Sequence, residues 1–203
     1  MSDIISTLRD SLLSSKAKPW IKEAMVENGE LTLLSDKANI IKLLSFLKTD
    51  KKCEFHMLIS ICGADYPERA DRLEVVYQLL SLTLNQRIRI KVRLEEPAFI
   101  DSATGVFACA NWYEREVYDM YGVLFKNHPD LRRILTDYGF EGYPLRKDFP
   151  LTGDLEVTYD FESGKVKYRP VSLAQEFRRF DFSTPWGGYA DVLPGDEKVE
   201  KNS

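Results

Sequence analysis

The chain has 203 residues, of which 44% are hydrophobic and 30% charged, values typical of a globular protein that exclude disorder throughout. Its formal net charge of −4 creates no global field that would draw it to nucleic acid or anionic lipid. Three cysteines, Cys53, Cys62 and Cys109, lack CxxC spacing, which argues against a disulfide framework or a cysteine-rich metal site.

The sequence contains no apolar run of about 18 residues, the length that a membrane-spanning helix needs. Asp3 and Asp10 interrupt the N-terminal segment where a secretory or transit peptide would carry apolar or basic residues. We therefore expect any membrane association to be indirect, through a partner.

The first part of the chain predicts a helix, then a strand, then a second helix. Apolar residues recur at helical spacing at Ile4, Leu8 and Leu12, in a helix that should end before Pro19. Residues 31–34 form a short strand candidate. Ser35 or Asp36 is expected to cap the following helix, whose apolar face consists of Ile40, Ile41, Leu43, Leu44 and Leu47.

Three strand patterns follow. Residues 55–62 are apolar at nearly every position, which is typical of a central strand covered on both faces. The second strand places one face to the core, formed by Leu73, Val75, Tyr77 and Leu79. Residues 87–95 alternate strictly, with a basic face of Arg87, Arg89, Lys91 and Arg93 opposite an apolar face of Ile88, Ile90, Val92 and Leu94.

A further helix covers residues 112–121, and Gly122 provides a left-handed C-cap. Asn111 and Glu114 have the spacing of a capping box, although the helix start can also be placed nearer Ser102. The element order predicts an α+β domain over residues 1–135, with a mainly antiparallel sheet packed by helices.

Residues 136–203 have no sustained periodicity and predict an extended C-terminal segment. Val157, Tyr159 and Phe161 face Val166 and Tyr168 in a small hairpin that turns at residues 162–165. A capping box from Ser172 to Gln175 opens a short helix with an apolar face of Leu173, Phe177 and Phe180, stopped by Pro185. Short elements of this kind are marginal alone, so we expect the segment to wrap a partner protein.

Catalytic chemistry has weak support in the sequence. No dinucleotide fingerprint, P-loop or ferredoxin spacing is present, and His56 and His128 are the two histidines. Cys109 as a nucleophile with His128 as its base is a candidate arrangement. The simpler interpretation is that Cys109 is a small buried hydrophobic residue, the usual role of a free cysteine. That freestanding cysteine hydrolase is our alternative function.

The charged residues have two interpretations each. Glu114, Glu116 and Asp119 can act as acid and base, but Arg115 and Asp119 stand at i, i+4, so ion pairs explain them more simply. The basic row at 87–93 can bind a phosphate backbone, and the simpler interpretation is a solvated sheet face. We predict ion pairs and no nucleic-acid binding.

The charge- and aromatic-rich stretch at residues 111–153 carries a resemblance. It contains Glu114-Arg-Glu116, Asp119-Met-Tyr121, His128, Arg132 and Ile134-Leu135, followed by Phe140-Glu-Gly142 and the run from Pro144 to Gly153. With the Ala-Gln-Glu-Phe-Arg-Arg-Phe-Asp block that begins at Ala174, this pattern resembles the bacterial form of the thirty-kilodalton subunit of respiratory complex I, NADH:quinone oxidoreductase.

The resemblance implies a structural and assembly subunit of the hydrophilic arm of a proton-translocating complex. It implies no catalytic centre, cofactor or metal in this chain, since FMN, Fe–S clusters, NADH and quinone belong to other subunits. The implied partners are the hydrogenase-like subunit that forms the quinone pocket and the cluster-bearing subunits. The implied location is peripheral, at the cytoplasmic face of the bacterial inner membrane, and the short termini fit the bacterial form.

The signature residues are expected to lie at the partner interface. They are Glu114, Arg115, Glu116, Asp119, His128, Arg132, Arg146, Lys147, Asp148 and Phe149. Tyr143 departs from the family pattern, which usually has His there. A proton-carrying role at this position is therefore in doubt, while a shape or hydrogen-bonding role is open to Tyr.

Overall fold

The computed structural model describes residues 2–175, and the chain divides between Pro150 and Leu151 into two compact units. The helices of the first unit are α1 (Ser2–Leu13), α2 (Ile40–Thr49) and α3 (Ala110–Tyr121). Its strands are β1 (Ile21–Glu27), β2 (Glu30–Ser35), β3 (Met57–Asp65), β4 (Leu73–Ser81), β5 (Gln86–Leu94), β6 (Phe99–Asp101) and β7 (Leu124–Lys126). The second unit contains β8 (Leu155–Asp160) and β9 (Lys165–Pro170).

The main sheet has the strand order β1-β2-β5-β4-β3. Strands β2 and β5 are parallel, and the other neighbouring strands of this sheet are antiparallel. Strands β6 and β7 form a separate parallel pair. The predicted α+β fold with a mainly antiparallel sheet packed by helices is confirmed.

The core lies on one face of this sheet. The alternating pattern of β5 buries Ile88, Ile90 and Val92, and the apolar residues of all three helices join the same cluster. On the opposite face, Arg89 pairs with Glu30 at 2.5 Å and Lys91 with Glu74 at 3.2 Å. The basic row therefore lies on the polar sheet face that its alternation predicted, and Arg89 and Lys91 are ion-paired there within the chain.

Three local predictions were wrong. Strand β1 was missed, because its sequence mixes Lys22, Glu23 and Glu27 with apolar residues and gives no clear alternation. Strand β3 lies at the sheet edge and not in the middle, with Met57 and Ile59 exposed. An apolar run cannot distinguish a central strand from an edge strand that leaves one apolar side uncovered.

The third wrong prediction is the cap of α2. Ser35 ends strand β2, and its hydroxyl donates a hydrogen bond to the carbonyl of Trp20 at 2.7 Å. Asn39 occupies the N-cap position and makes no capping hydrogen bond through its side chain. The loop between β2 and α2 is thus longer than the sequence pattern indicated.

The first unit extends to Pro150, beyond the boundary predicted after Leu135. The Leu145 amide donates to the carbonyl of Met120 at 3.1 Å, and the Lys147 amide donates to the Asp65 carboxylate at 2.7 Å. Residues 136–150 are therefore held against α3 and β3 by hydrogen bonds.

In the second unit, Val157 lies opposite Tyr168 and Tyr159 opposite Val166, while Phe161 lies in the turn after β8. The C-terminal part of the predicted short helix, with Phe177 and Phe180, lies outside the described residues.

Candidate functional site

Helix α3 carries four of the ten signature residues, Glu114, Arg115, Glu116 and Asp119. It begins after a short 3-10 turn at Ala103–Gly105 and ends at Gly122, whose φ of 80° confirms the predicted left-handed C-cap. The predicted capping box was wrong, because Cys109 occupies the N-cap position without a side-chain hydrogen bond. Glu114 therefore does not cap the helix, and its side chain lies in the interior.

Glu114 is fully buried. Its carboxylate accepts hydrogen bonds from the Ser102 hydroxyl and the Ala103 amide, each at 2.6 Å. Burial raises the pKa of Glu114 to about 7, although both hydrogen bonds act in the opposite direction. The helix therefore carries a buried acid that changes charge near neutral pH.

His128 lies beside Glu114, with Nε2 4.0 Å from a carboxylate oxygen and its side chain buried. The Asp130 amide donates to Nδ1 at 3.0 Å, so Nε2 carries the ring proton and donates it to the Asn111 carbonyl at 3.0 Å. Both ring nitrogens are engaged in holding the chain after β7 against α3.

This geometry gives the hydrolase alternative no support. A catalytic histidine must offer a free nitrogen to the nucleophile, and both nitrogens of His128 have backbone partners. The thiol of Cys109 lies 3.8 Å from the carbonyl of Leu58 instead.

Arg115 and Asp119 hold the loop at residues 132–136, here called the clamped loop. Arg115 binds carbonyl groups of this loop, and Asp119 binds its amide groups. Arg115 donates to the carbonyls of Arg132 and Arg133 at 3.1 and 3.0 Å. One oxygen of Asp119 accepts from the amides of residues 134–136 at 2.7–3.0 Å. The predicted Arg115–Asp119 ion pair was wrong, since the clamped loop takes both side chains.

The second oxygen of Asp119 accepts from Arg133 at 2.9 Å and from the Thr136 hydroxyl at 2.6 Å. Burial alone would raise the pKa of Asp119, but the hydrogen bonds from Thr136, Leu135 and Arg133 outweigh it and hold the pKa well below its usual value. Asp119 is thus a fully buried anion with several donors around it.

A second network joins the signature residues at 146–149 to the sheet. Arg72 binds Asp65 in a bidentate pair at 2.7 and 2.9 Å and also contacts Asp148 at 2.9 Å. The side-chain hydrogen bond from Arg72 lowers the pKa of both carboxyl groups. Asp65 also accepts from the Lys147 amide, so the segment is tied to both ends of the β3–β4 connection.

Arg146 and Tyr143 complete this network. Arg146 donates to the Tyr121 carbonyl at 2.6 Å and pairs with Glu96 at 2.5 Å, while its guanidinium lies 4.8 Å from the centre of the Tyr143 ring. The ring of Tyr143 also covers Gly122, where a Cβ atom would lie 2.5 Å from it. Tyr143 therefore has a packing role at the end of α3.

The remaining signature residues lie nearer the surface. Glu116, Arg132 and Lys147 are exposed, and Arg132 pairs with Asp130 at 2.8 Å. Phe149 is partly buried and stacks on Phe140, with ring centres 5.9 Å apart. The structure thus brings the ten residues together in two groups around α3, some with buried side chains and the rest partly or fully exposed.

Sequence reasoning missed Asp65, Arg72, Glu96 and Ser102. The available signal was positional, since Asp65 and Arg72 flank the β3–β4 connection with opposite charges. Across residues 2–175, no group of three or more His, Cys, Asp or Glu side chains is arranged to hold a metal ion. Within the same residues, no helix has the length and apolar character needed to cross a bilayer.

The fold defines the class of protein. A chain in the solved structure of the membrane-bound sulfane sulfur reductase (MBS), an archaeal respiratory membrane complex, superposes with a TM-score of 0.62 at 25% identity. The match covers 72% of this chain and 85% of that one. This α+β domain is therefore of a class that occurs in respiratory membrane complexes.

The sequence relatives define the family. Residues 33–155 match the family described as respiratory-chain NADH dehydrogenase, 30 Kd subunit. A C subunit of NADH-quinone oxidoreductase from Rhizobium meliloti is 57% identical over 199 residues, 98% of each chain. The corresponding C subunit of Brucella ovis is 59% identical over 182 residues, 90% of each chain. The chain belongs to the 30 Kd subunit family of respiratory-chain NADH dehydrogenase, and the predicted resemblance is confirmed.

Proposed function

We propose that this chain is a non-catalytic structural subunit in the hydrophilic arm of NADH-quinone oxidoreductase, respiratory complex I. One observation carries the non-catalytic part of the proposal. Three buried signature residues, Glu114, Asp119 and His128, have hydrogen-bond partners for their side chains within the chain. A catalytic constellation instead leaves a reactive group facing a substrate cavity.

In this proposal the electron carriers, FMN, Fe–S clusters, NADH and quinone, are held by other subunits. This chain contributes by assembly and by fixing the distances between carriers. Its neighbours are the hydrogenase-like subunit that forms the quinone pocket and the cluster-bearing subunits. They hold it peripherally at the cytoplasmic face of the inner membrane.

The hairpin of the second unit supports the proposed partner-wrapping role of the C-terminal segment, 136–203. One of its faces carries the cross-strand ion pairs Glu156–Arg169 and Asp160–Lys167. The other face is apolar, and its side chains are about half exposed or more; they are Leu155, Val157, Tyr159, Val166 and Tyr168. Aromatic and aliphatic side chains on one exposed face are typical of a protein–protein contact.

The signature residues divide between two roles in this proposal. The exposed ones, Glu116, Arg132 and Lys147, contact partner subunits directly. The buried ones act by holding the unit in shape: Asp119 holds the clamped loop, and Glu114 ties α3 to the turn that begins at Ala103. Both groups affect assembly, but through different physical effects.

The proposal is tested by purifying the complex from its source through a tag on another subunit. This chain should be recovered in equal amount with the other hydrophilic-arm subunits. A double variant, Tyr159→Ser with Tyr168→Ser, should reduce that recovery while leaving thermal unfolding of the first unit unchanged. Thr158→Ser, on the charged face of the hairpin, is the matched control. Active complex that lacks this chain would refute the proposal.

A further inference from the structure

A cavity of about 470 Å³ opens beside the clamped loop. Three arginines line it, Arg115, Arg132 and Arg133, together with one acidic residue, Asp137, and with Thr136 and Tyr138. Three guanidinium groups against one carboxylate favour an anionic occupant, provided that their charges are not already compensated.

Two of these arginines are compensated within the chain. Arg133 binds the Asp119 carboxylate at 2.9 Å, and Arg132 binds Asp130 at 2.8 Å. The carboxylate of Asp119 is in turn fully occupied by the amides of the clamped loop and by Thr136. The Asp119 carboxylate therefore does not compensate the charge of Arg115.

Arg115 is different. It is 9% exposed, and within residues 2–175 its hydrogen bonds run to two carbonyls and its guanidinium has no carboxylate within 4.0 Å. Carbonyl oxygens satisfy donors without neutralising the charge. A guanidinium removed from water normally has an anionic partner, because an uncompensated buried charge is costly. The cavity gives such a partner access to Arg115.

The surroundings of the cavity favour a protein over a small anion. Tyr138 at its rim is 93% exposed, and Leu135 of the clamped loop is 63% exposed. A phosphate or a similar free anion gains little from an exposed aromatic ring, whereas a partner protein buries that ring. A protein interface is enriched in tyrosine and arginine around a desolvated centre.

We propose that the Arg115 cavity receives an aspartate or glutamate side chain from a neighbouring subunit of the assembled complex. The inference rests on the proposed function, since it requires that the chain is held in a complex. Tyr138 at the rim then excludes water around the ion pair. The clamped loop positions both the cation and the apolar rim.

The first experiment measures retention of this chain in the purified complex during washes of rising salt concentration. Arg115→Gln should dissociate at lower salt, with a dissociation constant raised about tenfold or more, while Arg115→Lys retains most of the affinity because it keeps the charge. Arg87→Lys, on the exposed face of β5, is the control and should behave as the wild type. Thermal unfolding of each purified variant shows whether the clamped loop has been preserved.

The second experiment identifies the partner group. A carbodiimide joins amines to adjacent carboxylates, so the amine introduced by Arg115→Lys should cross-link to an Asp or Glu of another subunit, located by mass spectrometry. A cross-link confined to carboxylates of this chain, or none at this position while other lysines react, would overturn the inference. If the variant fails to fold, the wild-type complex decides, since its structure must show a foreign carboxylate within about 4 Å of the guanidinium.

The two proposals fail in different ways. If the chain is absent from the purified complex, the proposed function is wrong. If the chain is present but loses no affinity in Arg115→Gln and forms no cross-link to another subunit, only the Arg115 inference is wrong. Displacement of the chain by inorganic phosphate at constant ionic strength, with no cross-link, would identify a free anion as the occupant and also overturn it.

Discussion

Replacing Glu114 by glutamine should make the protein more stable above neutral pH. Burial raises the pKa of Glu114 from 4.5 to about 7, so ionising it in the folded state is unfavourable. Its stabilising contribution is complete below pH 4.5 and is lost as the pH rises through about 7. Each pKa unit corresponds to about 1.4 kcal/mol, so the full loss in the free energy of unfolding is about 3 kcal/mol.

Glutamine can keep both contacts, accepting from the Ala103 amide and donating to the Ser102 hydroxyl. Urea denaturation at pH 5 and pH 8.5 should therefore show the advantage of Glu114→Gln growing by about 2–3 kcal/mol between the two pH values. Glu116→Gln, an exposed neighbour on α3, should leave the pH dependence unchanged. An equal loss of stability at both pH values would refute the reasoning, since it would mean that the carboxylate is needed in its ionised form.

Two further predictions concern the ends of the clamped loop and of α3. Asp119→Asn places an amide NH₂ group among backbone donors and should lower the free energy of unfolding, measured by urea denaturation, by about 3–5 kcal/mol. The exposed Asp130→Asn is the control and should lower it by less than about 1 kcal/mol. Equal effects would show that the buried carboxylate is not the anchor. Gly122→Ala should lower the free energy of unfolding by about 1–2 kcal/mol through its left-handed backbone alone. Contact with the Tyr143 ring adds to this loss, and Tyr143→Ala should relieve that second part only. A Gly122→Ala variant as stable as the wild type would contradict both the backbone effect and the contact with Tyr143.

The parts of the fold that the sequence predicted well are those with a strong local pattern. The alternation in β5 specifies which side of the strand is buried, and the register follows from that. Gly122 was predictable because few residues other than glycine adopt a left-handed helix end. Strand β1 and the edge position of β3 depend on contacts between distant segments, which a local pattern does not contain.

The charged residues of the site were predictable as a set but not in their pairing. Arg115 and Asp119 have the spacing of a helical ion pair, and nothing local to α3 reveals that a loop fourteen or more residues away takes both side chains. The same holds for Arg72, which joins Asp65 to Asp148. Local spacing indicates which charges can meet, and the tertiary fold decides which do.

These pairings change the interpretation of the signature as a partner interface. Glu114 and Asp119 expose no surface, so a substitution at either reaches a partner only by altering the shape of the first unit. Arg132 and Lys147 are exposed and make few contacts that stabilise the unit itself. Loss of assembly with unchanged unfolding is thus the expected behaviour of the exposed residues, and loss of both together that of the buried ones. Measuring both assembly and the free energy of unfolding on the same variants separates the two roles. One role is direct contact with a partner subunit, and the other is stabilisation of the surface that makes this contact.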